Sequence, residues 1–182
     1  MAIILGVDPG TLIMGYALVE VTNNKPKVLD IGVEKMAKLS TPYEKLGAII
    51  QKIHYLIDTY HPNILAVEAP FYGKNPQSML KLGRAQGCII GASLQKGLEI
   101  FEYSPRSIKQ SITGNGNAAK EQVAAMLQQM KLIQKSNLYL DATDALAVAI
   151  CHHLQNRITF TESKFSGWAA FIAKNSDRII EK

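Results

Sequence analysis

Four acidic residues set the chemistry this sequence can support. Asp8 closes the apolar run AIILGVD, and Glu68 closes ILAVE. Asp141 and Asp144 lie three apart in DATDALAVAI, so on a helix they share one face. Singly, three of them have ordinary readings. Asp8 precedes Pro9-Gly10 and suits a turn. Asp141 and Asp144 suit the first turn of a helix, whose positive end favours negative charge. Glu68 is different. It follows an apolar strand and precedes Ala69-Pro70, with no basic neighbour close by in sequence. A carboxylate near a core needs a partner or loses its charge.

Carboxylates that converge on one site raise one another's pKa, and a divalent cation removes that penalty. Hard oxygen donors suit Mg²⁺ or Mn²⁺, and Mg²⁺ readily takes phosphate oxygens as further ligands. Four carboxylates balance two Mg²⁺ ions. Two ions ~3.5–4 Å apart suit in-line displacement at phosphorus. The expectation is a metal site at Asp8, Glu68, Asp141 and Asp144 that cuts phosphodiesters, with two Mg²⁺ and with Mn²⁺ able to substitute.

The elements that must position these acids are legible from pattern. Three apolar runs, AIILGVD, GYALVEV and VLDIGVEKM, joined by short turns, predict an antiparallel meander. Thr41, Pro42 and Glu44 start a helix with a capping box, and its apolar face runs from Leu46 to Tyr60. His61-Pro62 stops it, and ILAVE is a buried strand. Asn75-Pro76 opens a second helix reaching about Gly97. Its Gly83, Gly87 and Gly91 predict a closely packed helix face. LEIFEYS is a fifth strand, and Ser104-Pro105 caps a short helix ending near Gly114. The turn GNGN follows, with Asn117 as cap of the next helix. A last helix starts near Asp141. Strands alternating with helices imply an α/β fold with a five-stranded mixed sheet, a largely parallel second half and helices on both faces. In such sheets, sites gather at the carboxyl ends of strands.

Bulk properties exclude several classes. With 182 residues, 47% hydrophobic and 19% charged, the chain suits one globular domain and not a disordered one. The expected domain spans residues 1–156. Residues 157–182 form a polar tail, and its Phe165, Trp168, Phe171 and Ile172 have the partial spacing of a short docked helix. The apolar run Ala145 to Ile150 is far too short to span a bilayer. MAIILGVDPG lacks the basic start of a signal peptide. Cys88 and Cys151 show no zinc or disulfide spacing. A cytoplasmic location is the expectation. The formal charge of +5 only tilts the odds toward a polyanionic partner.

The segments ILGVDPGTLIMGYALV, AVEAPFYGKNPQSMLKLGRAQG, FEYSPRSIKQSITGNGNAAKEQV and DATDALAVAI, in that order, resemble the RuvC family of Holliday junction resolvases, the crossover junction endodeoxyribonucleases. The resemblance covers residues 3 to about 155. It implies a ribonuclease H-like fold and a homodimer whose two sites nick strands of like polarity across a four-way DNA junction. It implies work in recombination and DNA repair beside a branch-migration motor of the RuvA and RuvB type. The family's metal ligands fall on Asp8, Glu68, Asp141 and Asp144, its junction-contacting aromatic on Phe71, and its functional lysines on Lys109 and Lys120. The chain departs from the family pattern at Ala69, Asn117 and Ala119, which bears on local DNA contacts and cleavage preference.

Other residues fit around that site. Phe71 is read as an aromatic wedge at the branch point, with Tyr72 and Lys74 beside it in the same loop. Lys81 and Arg84, three apart on the following helix, are candidate phosphate contacts. Lys109 and Lys120 flank the GNGN turn, whose backbone N–H groups are expected to grip phosphate, and Lys120 is expected near the scissile phosphate as a catalytic group. The segment DPGTLIMG also resembles the phosphate loop of actin-like ATPases, which need a second domain that 182 residues leave no room for.

Overall fold

The computed structural model describes residues 2–70, 75–133 and 139–162, with side chains to 156. Five strands form one sheet in the order β3-β2-β1-β4-β5. Strands β1 (Ala2–Asp8), β2 (Ile13–Thr22) and β3 (Lys25–Lys35) are the antiparallel meander. Strands β4 (Ile64–Glu68) and β5 (Glu99–Tyr103) run parallel to β1. The crossovers between them are helices α1 (Pro42–Tyr60) and α2 (Pro76–Gln95). After β5 come α3 (Pro105–Thr113), α4 (Lys120–Gln129) and α5 (Leu140–Glu162).

Capping sets the helix starts. The Thr41 hydroxyl accepts from the Glu44 N–H at 3.2 Å, and the Glu44 carboxylate accepts from the Thr41 N–H at 2.9 Å. The Asn75 side chain accepts from the backbone of Gln77 and Ser78, and Ser104 accepts from that of Ser107. His61 ends α1 in the left-handed region at φ 51°, before Pro62.

Strand residues alternate between two cores. Leu5, Val7, Leu18, Leu65 and Val67 face α1 and α2, where they meet Ile49, Ile53, Leu56 and Ile89. Ile4, Ala17, Val19 and Ala66 face the other way, onto Leu146, Ala149, Ile150 and the inner sides of α3 and α4. Helices therefore cover both faces, as the sequence predicts.

Three local expectations need correction. Among the described residues Gly83, Gly87 and Gly91 mark no packed face, because a Cβ on any of them would meet nothing within 4 Å there. Asn117 does not cap α4. That helix starts two residues later than a cap at Asn117 would place it, at N-cap Ala119, whose N–H donates to Gln122 Oε1 at 2.9 Å. The Asn117 N–H instead donates to Asn115 Oδ1. Nor is the GNGN turn free to grip an anion. The N–H groups of Asn115 and Gly116 donate to Thr113 and Gln110, so those donors are spent inside the turn. Helix α5 continues past residue 156 to Glu162, and the expected docked helix of the tail, at residues 165–172, lies outside the described residues.

Candidate active site

Strand register brings the first two acids together. Val7 pairs with Val67 in the parallel β1–β4 ladder, so Asp8 and Glu68 are the next residues on adjacent strands. Adjacent strands lie about 4.8 Å apart. Ile4 and Gly6 face α5, so by the period of two Asp8 faces it as well, and Ala66 makes the same argument for Glu68. Helix α5 lies on that face and supplies Asp144.

Glycines let α5 sit close. In the antiparallel register Asp8 pairs with Gly15 on β2. A Cβ on Gly15 would lie 1.9 Å from the carbonyl oxygen of Asp141, and one on Gly6 would lie 2.3 Å from that of Ala145. The helix backbone thus rests directly on the strands, and its first turns pass beside Asp8. A glycine inside a strand is the sequence signal for such an approach. Gly15 within IMGYALV carried it and the sequence reading did not use it.

Asp8, Glu68 and Asp144 line one cavity of about 170 Å³ together with Lys109, Lys120, Pro105 and Ile108. Asp8 and Glu68 also line a second cavity of similar size on the α2 side, with Leu82 and Gln86. Burial, then the charges of Glu68 and Asp144, push Asp8 up to about 8. Burial and the Asp144 charge raise Glu68, against the pull of Lys120 and Lys109. Lys120 is ion-paired to Asp144. Burial works to lower Lys120, but that pairing and the charges of Asp8 and Glu68 outweigh it and hold the ammonium above its ordinary value. Asp141 stands apart. It does not line the cavity, and its charge is the weakest of the acidic influences on Asp8.

The donor set suits a hard divalent cation. Three carboxylates converge on one cavity, and the burial and mutual repulsion that raise Asp8 and Glu68 are what a cation relieves. Among the described residues no three acids, histidines or cysteines already stand as a formed ligand cluster. Lys120 supplies positive charge at Asp144 instead.

The remaining candidates fall in different places. Lys81 and Arg84 do not reach the acid cavity. They line a cleft on the other side of Leu82, formed with Thr11, Leu12 and α1. Phe71, Tyr72 and Lys74 lie outside the described residues. His152, next to His153 in the sequence, is 1% exposed. Its Nδ1 meets the Tyr103 hydroxyl at 2.8 Å and its Nε2 meets Asn156 at 2.7 Å. It ties α5 to the end of β5, next to Pro105 of the cavity wall.

The mixed sheet with the acid cluster at the ends of β1 and β4 defines a ribonuclease H-like nuclease of the resolvase class. The family model described as "Crossover junction endodeoxyribonuclease RuvC" matches residues 4–152. The Bacteroides fragilis protein of that name is 49% identical over 97% of this chain and 95% of its own length. The Cytophaga hutchinsonii protein of that name is 50% identical over 97% and 88%. The solved structure of Thermus thermophilus RuvC in complex with Holliday junction substrate superposes with a TM-score of 0.80 at 28% identity, covering 87% of this chain and 97% of that one. This chain belongs to the RuvC family of crossover junction endodeoxyribonucleases.

Proposed function

We propose that the protein resolves Holliday junctions in recombination and DNA repair, by metal-dependent nicking of two strands of like polarity at symmetric positions. The single observation that carries the reading is the meeting of Asp8, Glu68 and Asp144 with Lys109 and Lys120 in one cavity at the carboxyl ends of β1 and β4. Asp8, Glu68 and Asp144 would hold two Mg²⁺, with Asp141 completing the set from one turn earlier in the same helix and Mn²⁺ able to substitute. The chemistry such ions supply is an activated water and a stabilised leaving oxygen.

The chain's own groups do the rest. Asp8 and Glu68 fix the cleavage point relative to the sheet, because both sit on strands and not on loops. Lys120, with a side chain 57% exposed, exchanges Asp144 for the DNA phosphate, and Lys109 adds a second positive charge beside Glu68. Lys81 and Arg84 hold backbone phosphates farther along. Phe71, with Tyr72 and Lys74, opens the branch point. Two copies related by a two-fold axis match a substrate with equivalent paired strands. A cytoplasmic location and a branch-migration motor of the RuvA and RuvB type as partner complete the reading. Among the described residues no helix is long and apolar enough to cross a membrane.

The test is cleavage of a synthetic mobile four-way junction with Mg²⁺, mapped on all four strands. Paired nicks on two strands of like polarity are expected. Equal cutting of linear duplex, or cutting without a divalent ion, refutes the reading. Asp8→Asn is expected to retain junction binding while cleavage falls by at least about a thousandfold, since the metal can no longer be held against Glu68. Loss of binding in a folded Asp8→Asn protein contradicts the role given to Asp8.

A further inference from the structure

A cleft of about 400 Å³ opens beside the acid site, between the β1–β2 turn, the start of α1 and the outer side of α2. Its size falls in the roughly 300–1,000 Å³ range of small-ligand pockets. Leu12, Leu46, Ile49 and Leu82 give it an apolar lining. Lys45, Lys81 and Arg84 stand around it, and among the described residues no acidic one lines it. The ion pairs among the described residues join Lys96 to Asp58 and Lys120 to Asp144, so none of the three cations is neutralised by a carboxylate. Three unneutralised cations around an apolar hollow fit a ligand with an anionic edge and a flat apolar body. Leu82 lines both this cleft and the cavity that holds Asp8 and Glu68. Whatever lies with its phosphate at the acids therefore has this cleft as its neighbour.

We propose that the cleft holds an unstacked nucleotide of the DNA strand being cut. Its base lies against Leu12 and Leu82, and its phosphate lies among Lys45, Lys81 and Arg84. The proposal rests on the nuclease reading and adds to it Lys45 and Leu12, neither of which spacing in the sequence connects with DNA. Leu12 is 56% exposed, more than half open to water for a large apolar side chain, at the lip of the turn that follows Asp8. Its backbone carbonyl accepts from Met36 N–H at 2.8 Å, which holds the turn in place. The side chain is thus available to a base without cost to the fold.

Four-way junction binding by the full chain, without divalent ions, tests this across a series of NaCl concentrations. Lys45→Ala is expected to weaken binding several-fold and to make the slope of log affinity against log salt shallower by about 0.7–0.9, the release from one phosphate contact. Leu12→Ser is expected to weaken binding several-fold with the slope unchanged, as an uncharged base contact does. Lys25→Ala is the control, an exposed lysine at the far end of β2 and β3. If the native chain binds and Lys45→Ala behaves as Lys25→Ala does, the cleft proposal is overturned and the nuclease reading stands. If the native chain does not bind a junction, both are overturned. Sedimentation of each variant separates the remaining case. Affinity lost together with dissociation of the copies means that the cleft seats a protein partner, and this overturns the nucleotide.

Discussion

Two groups of glycines have opposite surroundings. Gly6 and Gly15 lie under α5 with carbonyl oxygens where a Cβ would go, whereas Gly83, Gly87 and Gly91 on α2 have open space. The first group sets a distance. Small residues on both sides of that seam, Ala145 and Ala149 against Gly6, bring the helix axis down onto the strands. On the opposite face of the sheet the gap is filled by Leu5, Val7, Ile53, Leu56 and Ile89, which can shift rotamers to absorb a change. A backbone-on-backbone seam has no such slack. The site is built on the unyielding side, with Asp8 on one surface of the seam and Asp144 on the other. A misplacement of about 1 Å costs catalysis on the order of a hundredfold.

Gly15→Ala puts the comparison under the largest strain. The new methyl meets the Asp141 carbonyl, so the first turn of α5 must lift, and Asp144 lifts with it. Cleavage is expected to fall about a hundredfold, mainly in kcat. The stability cost is expected to be about 3 kcal/mol, in the range of overpacked buried sites. Gly6→Ala is the partner variant. It strains the same seam one turn along, at Ala145 and Ala149, so it should cost similar stability with a smaller effect on kcat. Single-turnover cleavage well below each melting temperature measures the difference. A Gly15→Ala protein that cuts within threefold of the native rate breaks the link between the seam and the site.

Farther along α5, His152 gives the seam a pH dependence. Burial, then the charge of His153, lowers His152 to about 4. An unfolded histidine titrates near 6.5, so between about pH 4 and 6.5 the unfolded chain binds more protons. The stabilisation is complete above about pH 6.5 and is lost as pH falls through the folded value, by about 3 kcal/mol in all. Asp8 acts oppositely in the metal-free protein, since its raised value removes stability as pH climbs from about 4 toward 8. Comparing the native chain with His152→Gln cancels Asp8. The urea midpoint of the native chain should drop more steeply between pH 7 and 4.5. Parallel curves would mean that His152 titrates normally in the fold.

What could be seen in the sequence follows from the range of the interactions involved. Caps at Thr41, Asn75 and Ser104, the stop at His61-Pro62 and the alternation within β1 and β4 are local, and the five-stranded mixed sheet is legible from them. The acids at Asp8 and Glu68 were legible because the strand ends were. The ion pair of Lys120 with Asp144 spans 24 residues, and the cleft joins Leu12, Lys45 and Lys81, so neither has a local signature. Helical spacing groups Asp141 with Asp144 because it gives direction but not depth. One turn nearer the helix start, Asp141 stands outside the cavity that Asp144 lines. The glycines misled for the same reason. A four-residue interval looks alike whether the helix face is packed or bare.

The bare stripe supplies the smallest effect and a sharp reading of it. Gly87 is exposed in the middle of α2, with helical backbone and no neighbour for a Cβ. Replacing glycine by alanine in an exposed helix interior gains about 0.5–1 kcal/mol, because the unfolded chain has less freedom to lose and the helix is intrinsically favoured. Gly87→Ala should therefore raise the urea midpoint at protein concentrations low enough for single copies, with cleavage unaltered there. Alanine at Gly6, on the other side of the sheet, should lower that midpoint. A fall at Gly87 that appears only at higher concentration would show that a second copy lies against α2, and the stripe would then be a seam between chains as Gly6 and Gly15 are one within the chain.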